Sequence, residues 1–175
     1  MSSPAEQILD QYLPRFQWSS KHRLTSDATI QRCYAALVES PLHPGWAGWL
    51  VRLRGMNPGG SLREFFAGNG LRILEERPPF YLLVGLICQP WRTSGGRAIP
   101  PADWTQEGVP GYAKIVAVFG TAAINNRTEM ITETRILVQS RGARIKFSLY
   151  WWLIRPFSAI LRRSWLQGAR RMAER

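Results

Sequence analysis

The sequence predicts an α+β domain in which a curved antiparallel sheet wraps around one long C-terminal helix, with two short helices after the first strand. Three observations predict this fold class. Apolar residues occur at strand spacing in several separate segments. The strand and helix segments come in blocks rather than in strict alternation. Helical spacing then extends through residues 140–175, where Pro156 is the only proline. The chain of 175 residues, 45% apolar and 20% charged, fits one domain over residues 1–175.

The first part of the chain reads as an extension, a strand and a helix. Residues 1–14 form an N-terminal extension with a short helix that ends before Pro14. The bulky, β-compatible residues at 16–26 favour a strand. Asp27 is expected to cap a helix over 28–40. Apolar positions of that helix recur on one face: Ile30, Cys33, Tyr34 and Leu37.

Two further helical segments follow. Residues 45–55 repeat the same helical spacing with Trp46, Trp49, Leu50 and Leu53. Ser61 and Glu64 match a capping box, which predicts a short helix ending at Gly68.

Four more strands are predicted, at 70–77, 79–91, 112–120 and 128–139. Asn125 and Asn126 supply a hairpin turn between the last two. The segment 93–111 holds four glycines and three prolines, which indicates a long irregular loop of the kind that often forms a lid or a cavity mouth.

The C-terminal segment 140–175 predicts an amphipathic helix of about nine turns, kinked at Pro156. We expect one face of it to be buried against the sheet and the arginines, Arg162 among them, to lie on other faces in water. The residues of the buried face are Phe147, Tyr150, Trp151, Ile154, Phe157, Leu161, Trp165 and Met172.

Several motifs together resemble the START-like superfamily, also called SRPBCC or helix-grip. They are the helix DATIQRCYAAL after a strand containing His22, WLVRLRG, LLVGLICQPWR, PGYAKIVAVF, TETR at 132–135, and YWWLIRPFSAILRR with RMAE near the C-terminus. The resemblance covers nearly the whole chain, and it is closest to bacterial members of unassigned function. One departure is Cys88-Gln89-Pro90 ahead of Trp91, where a small residue and less proline are expected.

The resemblance implies an apolar cavity between the sheet and the C-terminal helix. The superfamily includes lipid and hormone carriers, polyketide cyclases and ring-hydroxylating oxygenase domains, so the fold alone does not determine the function. We expect non-catalytic binding of a hydrophobic small molecule or lipid-like ligand, without a cofactor. The predicted lining residues are Tyr34, Leu82, Trp91, Tyr112, Val116, Thr132, Thr134, Tyr150, Trp151 and Ile154.

An alternative is a cyclase- or dehydratase-like enzyme that uses the same cavity, with Glu133, Arg135 or His22 moving protons. Strand alternation places Glu133 and Arg135 on the face opposite to Thr132 and Thr134, so an exposed ion pair is the simpler interpretation of those two residues. His22, between Lys21 and Arg23, is expected to face solvent or to bond a neighbouring strand.

The formal net charge is +11, and residues 141–175 hold nine Arg or Lys but only one Glu. A second alternative is therefore a peripheral interaction protein that docks weakly on anionic membranes. Specific nucleic-acid binding is not expected, because the aromatic face needed for base stacking is the face that the fold buries.

Cysteine and histidine usage predicts neither a metal site nor a disulfide. Cys33 and Cys88 lie in apolar stretches and resemble small buried hydrophobes. The two histidines, His22 and His43, are too few for a three-histidine zinc site, which leaves a mixed site with Glu or Asp as the open alternative. Without a signal-like N-terminus, and with an apolar run only at 80–88, the sequence favours a cytoplasmic protein that is not embedded in a membrane.

Overall fold

The computed structural model describes residues 4–41, 51–52, 56–57, 60–92, 96, 103–105 and 108–175. The elements within them are, in chain order, α1 (Pro4–Tyr12), β1 (Trp18–Ser26), α2 (Ile30–Glu39), α3 (Leu62–Asn69), β2 (Arg72–Arg77), β3 (Tyr81–Cys88), β4 (Ala113–Ile124), β5 (Arg127–Val138) and α4 (Arg141–Ala173). Apart from Val51 and Arg52, the helix predicted at 45–55 lies outside the described residues, as does most of the loop 93–111.

The five strands form one curved antiparallel sheet in the order β1-β5-β4-β3-β2. The first strand pairs with the last, so β1 joins the sheet beside β5 rather than beside β2. The long helix α4 lies against the concave face, and α1 covers the convex face. This is the helix-grip arrangement that the sequence predicts.

Strand alternation divides the sheet residues between the two faces. On the concave face, one apolar cluster joins the C-terminal part of α4 to α2, α3 and the sheet, and it includes Phe119, Met130 and Trp165. A second concave cluster joins the N-terminal part of α4 to the other end of the strands, and it includes Ile136 and Phe147. The convex face forms a third cluster with α1.

A glycine allows α1 to approach the convex face closely. A Cβ atom at Gly120 would lie 2.8 Å from the Cβ of Ala5 and 2.8 Å from the carbonyl oxygen of Phe80. Any larger residue would therefore push α1 away from β4.

The predicted β4–β5 turn and the predicted capping box are both present, but the end of α3 and the cap of α2 differ from the prediction. Asn125 and Asn126 form the β4–β5 turn with φ of 47° and 62°, a conformation that asparagine tolerates. The Ser61–Glu64 capping box is present, but α3 continues past Gly68 to Asn69, and its C-terminal cap is Gly70, which has φ of 70°. The cap of α2 is Thr29, not Asp27 as expected. Asp27 instead accepts hydrogen bonds from Arg127, at 2.6 and 3.0 Å.

The C-terminal helix extends over 33 residues and continues through Pro156. Its buried residues lie near its two ends: Ala143 and Phe147 at one, Trp165, Leu166, Ala169 and Ala173 at the other. Phe157 and Met172, predicted to be buried, are 45% and 41% exposed. The predicted buried face is therefore correct for Phe147 and Trp165 but not along the whole length of the helix.

Candidate functional site

The middle of α4 is held away from close packing. From Ser148 to Ser164 no residue of the helix is buried, although Phe147 and Trp165 on either side are each 1% exposed. These two aromatic residues are about 27 Å apart along the helix axis at 1.5 Å per residue. The sheet residues that face α4, Thr132 and Thr134, are nonetheless buried. The side chains of α4 that are buried against the sheet thus lie at its two ends, and we call the partly exposed stretch between them, with the sheet residues that face it, the groove.

Polar side chains cross the concave face in this stretch. On β5, Met130 belongs to one concave cluster and Ile136 to the other, with Thr132 and Thr134 between them. On β1, His22 pairs with Thr132 and Ser20 pairs with Thr134. We call the set Ser20, His22, Thr132, Thr134 and Arg162 the concave polar band.

Arg162 of α4 binds the two threonines of this band. Its guanidinium donates one hydrogen bond to Thr132 Oγ1 at 2.8 Å and another to Thr134 Oγ1 at 2.5 Å. On β1, the Ser20 hydroxyl and His22 Nε2 lie 3.1 Å apart. The band therefore connects α4 to β5 through hydroxyl groups rather than through a carboxylate, and the polar pair of β1 lies beside these bonds in the sheet.

Arg162 is the main charge of the band, and it is half-buried. Partial removal from water lowers the pKa of Arg162 to about 10, so the guanidinium remains charged at neutral pH. The pKa of His22 is also lowered, first by desolvation and then by the positive charges of Arg162 and Arg163. Within the described parts of the chain, Arg162 forms no ion pair. Of the 12 acidic residues, only Glu107 lies outside those parts.

Arg162 was not predicted as a site residue, because the sequence interpretation placed it among the solvated arginines. The signal that could have found it is its spacing. Arg162 follows Ile154 by two helical turns and precedes Trp165 by three residues, which puts it beside the sheet-facing side of α4.

Most of the predicted lining residues lie on the concave side, but they do not form one continuous group. Tyr34 and Leu82 belong to the cluster at the C-terminal part of α4. Half-buried residues around Phe147 form the other end of the groove: Trp91, Tyr150 and Trp151. Thr132, Thr134 and the half-buried Ile154 lie between these ends. Tyr112 is half-buried just before β4 and belongs to none of the three apolar clusters.

Val116 corrects the predicted set. It is fully buried in the convex cluster beneath α1, with Leu83, Val118 and Ile131. The reason is strand alternation: Ile115 and Ala117 of β4 face α4, so Val116 points to the other side of the sheet.

Glu133 and Arg135 also lie on the convex face. Arg135 Nε donates to Glu133 Oε1 at 2.8 Å, and its Nη1 donates to Asp10 of α1 at 2.6 Å. The predicted ion pair is confirmed, but its predicted exposure is wrong: the two residues are only 5% and 7% exposed because α1 covers them. The sheet separates this pair from the concave polar band.

A cavity of about 600 Å³ opens on the convex side of the sheet. It lies at the junction of α1 and β1, and its cationic lining residues are Arg15, Lys114 and Arg144. Lys114 is buried and donates hydrogen bonds to the carbonyl oxygens of Tyr12 at 3.1 Å and Trp104 at 2.5 Å. Desolvation lowers the pKa of Lys114, an effect that the charge of Asp103 opposes.

The solvent side of α4 carries a row of exposed apolar side chains. We call this row the outer apolar face: Ile145, Leu149, Trp152, Leu153, Phe157 and Ile160. Trp152 is 80% exposed and Leu149 is 70% exposed. Exposed cations lie on or beside the same face at Arg141, Lys146 and Arg163. No helix among those described is long and apolar enough to cross a membrane.

The remaining chemistry-bearing residues are ordinary core groups. Cys33 and Cys88 are buried, as predicted, and neither forms a disulfide bond within the described residues. No cluster of three or more His, Cys, Asp or Glu that could hold a metal ion occurs in the portion of the chain that the structure describes.

Comparison with known proteins finds distant likenesses among solved structures. No family model and no curated protein matches the chain. The crystal structure of protein CV1439 from Chromobacterium violaceum aligns at a TM-score of 0.43 and 14% identity, over 90% of this chain and 97% of that one. CalU16 from Micromonospora echinospora aligns at a TM-score of 0.34 and 13% identity, over 90% and 88%. Ara h 8.0201 aligns at a TM-score of 0.31 and 9% identity, over 87% and 97%.

Proposed function

We propose that this protein binds a hydrophobic small molecule or lipid-like ligand between the concave face of the sheet and the middle of α4. The observation that carries the proposal is the absence of any buried residue from Ser148 to Ser164, between two tightly packed ends. Close packing is the normal state of a helix on a sheet, and a helix with partly exposed aromatic residues on its sheet-facing side leaves that packing incomplete.

The walls of this groove suit an apolar ligand. Trp151, Tyr150 and Ile154 are half-buried and face the sheet side, so a ligand would remove more of their apolar surface from water. Each 100 Å² of apolar surface removed contributes roughly 2.5 kcal/mol, which makes such burial a sufficient driving force for binding. The few polar groups of the concave polar band would fix the orientation of the ligand.

A binding assay with a neutral probe tests this proposal. Purified, delipidated protein is titrated with Nile red, and a complex is checked by native mass spectrometry. The groove variant is Ile154→Arg, and the control is Phe157→Arg, which adds the same charge less than one turn away on the outer apolar face. We expect Ile154→Arg to weaken Nile red binding at least about tenfold because it places a charge in the apolar groove, while Phe157→Arg changes it little. Failure of the wild type to bind Nile red, or equal losses in the two variants, would contradict the proposal.

A second candidate function, docking on an anionic membrane, is favoured by the outer apolar face. Six large apolar side chains exposed on one helix exceed the scattered apolar residues of a normal surface. The cations of α4 make an anionic lipid surface the complementary occupant, since residues 141–175 contain nine Arg or Lys and one Glu. A second copy of the chain seated on the same face would bring two such cationic rows together.

Vesicle flotation tests the docking surface. We expect the protein to float with vesicles containing phosphatidylglycerol, to bind phosphatidylcholine vesicles much less, and to detach as salt is added. Trp152→Ser should weaken binding, whereas Ile73→Ser, a matched change at a 41% exposed residue of β2, should not. Equal binding to the two kinds of vesicle would contradict docking on an anionic membrane. So would a dimer in analytical ultracentrifugation that Trp152→Ser dissociates, because the outer apolar face would then be covered by a second copy of the chain.

A further inference from the structure

We infer that the ligand of the groove carries a single carboxylate, and that this carboxylate pairs with Arg162 in the concave polar band. The inference rests on the proposed function, since it assigns the head group of a ligand bound in the same groove. It is independent of the outer apolar face, because Arg162 lies on the sheet side of α4 and donates to β5.

The first support is the incomplete pairing of the guanidinium. Arginine presents five N–H donors in a planar fork, and the bonds to Thr132 and Thr134 use two of them. No carboxylate among the described residues neutralises Arg162, although the three described arginines of β1 and β5 all have one: Arg23 with Glu6, Arg127 with Asp27 and Arg135 with Asp10. A half-buried guanidinium whose two hydrogen bonds go to hydroxyl groups keeps further N–H donors for an anion, and a carboxylate accepts such bonds in the paired geometry that arginine favours.

The second support is another buried donor close by along the helix. Trp165 is 1% exposed, and its indole Nε1 has no hydrogen-bond acceptor in the described structure. Its ring packs on Phe119 with centroids 5.2 Å apart, and Phe119 pairs with Thr132 across the sheet. The region therefore contains two kinds of donor that lack a full set of acceptors, which favours a head group made of acceptors.

The surroundings specify the rest of the ligand. Arg162 and Trp151 are 11 residues apart on the helix, about 16 Å along its axis. The sheet-facing side chains between them include Ile154 and, by helical spacing, Ser158, so a tail leaving the head group in this direction meets apolar and small side chains. One planar guanidinium matches a carboxylate in shape and charge, while a phosphate monoester carries about two negative charges and would need a further cation. The ligand class is a linear or flat amphiphile with a carboxylate at one end.

A pair of ligands that differ only in the head group tests the inference. Delipidated full-length protein is titrated with dodecanoate and with dodecanol by isothermal titration calorimetry, and dodecyl phosphate serves as a third arm. We expect dodecanoate to bind at least about tenfold more tightly than dodecanol, as a charge-assisted hydrogen-bonded pair implies. Dodecyl phosphate should bind less tightly than dodecanoate.

Two arginine variants locate the effect. Arg162→Met should remove the preference for dodecanoate and leave dodecanol binding nearly unchanged. Arg163→Met, the same substitution at an exposed neighbour, should keep the preference. If Arg162→Met does not fold, the double variant Thr132→Val and Thr134→Val provides the test, because loss of the two hydroxyls that hold the guanidinium should lower the preference at least about threefold.

The outcomes separate the inference from the proposed function. Equal binding of dodecanoate and dodecanol by the wild type would overturn the carboxylate assignment while the groove stands. A preference that Arg163→Met reduces as much as Arg162→Met would also overturn it, because the effect would then come from the general charge of α4. If dodecyl phosphate binds more tightly than dodecanoate, the head group of the ligand is a phosphate and the carboxylate assignment is overturned. If neither dodecanoate nor dodecanol binds, the proposed function itself fails, and the inference fails with it.

Discussion

Replacing Phe147 by alanine tests how α4 is attached to the sheet. Phe147 is 1% exposed and packs on the sheet near the N-terminal end of α4. Phe157, ten residues further along the helix, is 45% exposed. A helix buried along one continuous face, as the sequence alone suggests, predicts similar losses for the two phenylalanines. A helix packed at its ends predicts a large loss for Phe147→Ala and a small loss for Phe157→Ala.

The size of the loss follows from the contacts of the ring. Burial of a phenylalanine side chain contributes about 1.5–3 kcal/mol, and aromatic pairs add about 0.5–1.5 kcal/mol beyond the buried area. Among the described residues, the ring of Phe147 has four aromatic neighbours: Trp18 at 4.6 Å, Tyr150 at 5.8 Å, Trp151 at 5.9 Å and Trp91 at 6.3 Å between centroids. The residual cavity adds a further penalty, so we expect Phe147→Ala to lower the free energy of unfolding by about 3–5 kcal/mol. Phe157→Ala should lower it by less than about 1 kcal/mol.

Urea unfolding followed by far-UV circular dichroism measures both values, with the slopes compared to confirm a common two-state transition. The free energy of unfolding of a domain of this kind is about 5–15 kcal/mol, so the alanine variant could be unfolded without urea. In that case Phe147→Leu, with an expected loss of about 1–2 kcal/mol, replaces it in the comparison. Equal losses at Phe147 and Phe157 would refute the picture of a helix held at its two ends.

Two further predictions concern the two faces of the sheet. Because the pKa of His22 is lowered in the folded state, the unfolded chain takes up the proton first as the pH falls through the ordinary value of 6.5. The wild type should therefore lose stability between pH 8 and pH 5 relative to His22→Gln; a constant difference in melting temperature across that range would contradict the lowered pKa. On the convex face, Arg135→Met should lower the free energy of unfolding by about 3–5 kcal/mol because it leaves Glu133 buried beside Lys21 alone, 3.6 Å away, and adding Glu133→Gln should restore part of it. An additive double variant in urea unfolding would show that the two side chains are not coupled.

The elements that could be predicted from the sequence are those with local signals. The β4–β5 turn depends on two asparagines that tolerate positive φ, and the cap of α3 depends on Ser61 and Glu64, which are three positions apart in one local motif. The alternation that put Thr132 and Thr134 opposite to Glu133 and Arg135 is also local, and the structure has them on opposite faces.

The features that could not be predicted from the sequence depend on which helix covers each face of the sheet. Glu133 and Arg135 are buried because α1 lies on the convex face, and nothing in the strand itself indicates that cover. Val116 was assigned to the wrong face because its apolar side chain fits both faces of a sheet that is covered on both sides. Arg162 was assigned to water because arginines usually stay solvated; its helical spacing puts it beside the sheet-facing side of α4, but its bonds to Thr132 and Thr134 depend on the tertiary fold.

Filling the groove from inside tests the central claim most directly. Ser158 is half-buried and lies one turn from both Ile154 and Arg162 on the sheet-facing side of α4. The measurement is the free energy of unfolding of Ser158→Phe together with its affinity for Nile red. If the space between the sheet and α4 is open, the new ring occupies it: stability is unchanged or higher, and Nile red binding is lost. If the helix is already packed, the ring overfills the interface, stability falls by about 1–3 kcal/mol, and any Nile red binding elsewhere on the protein persists.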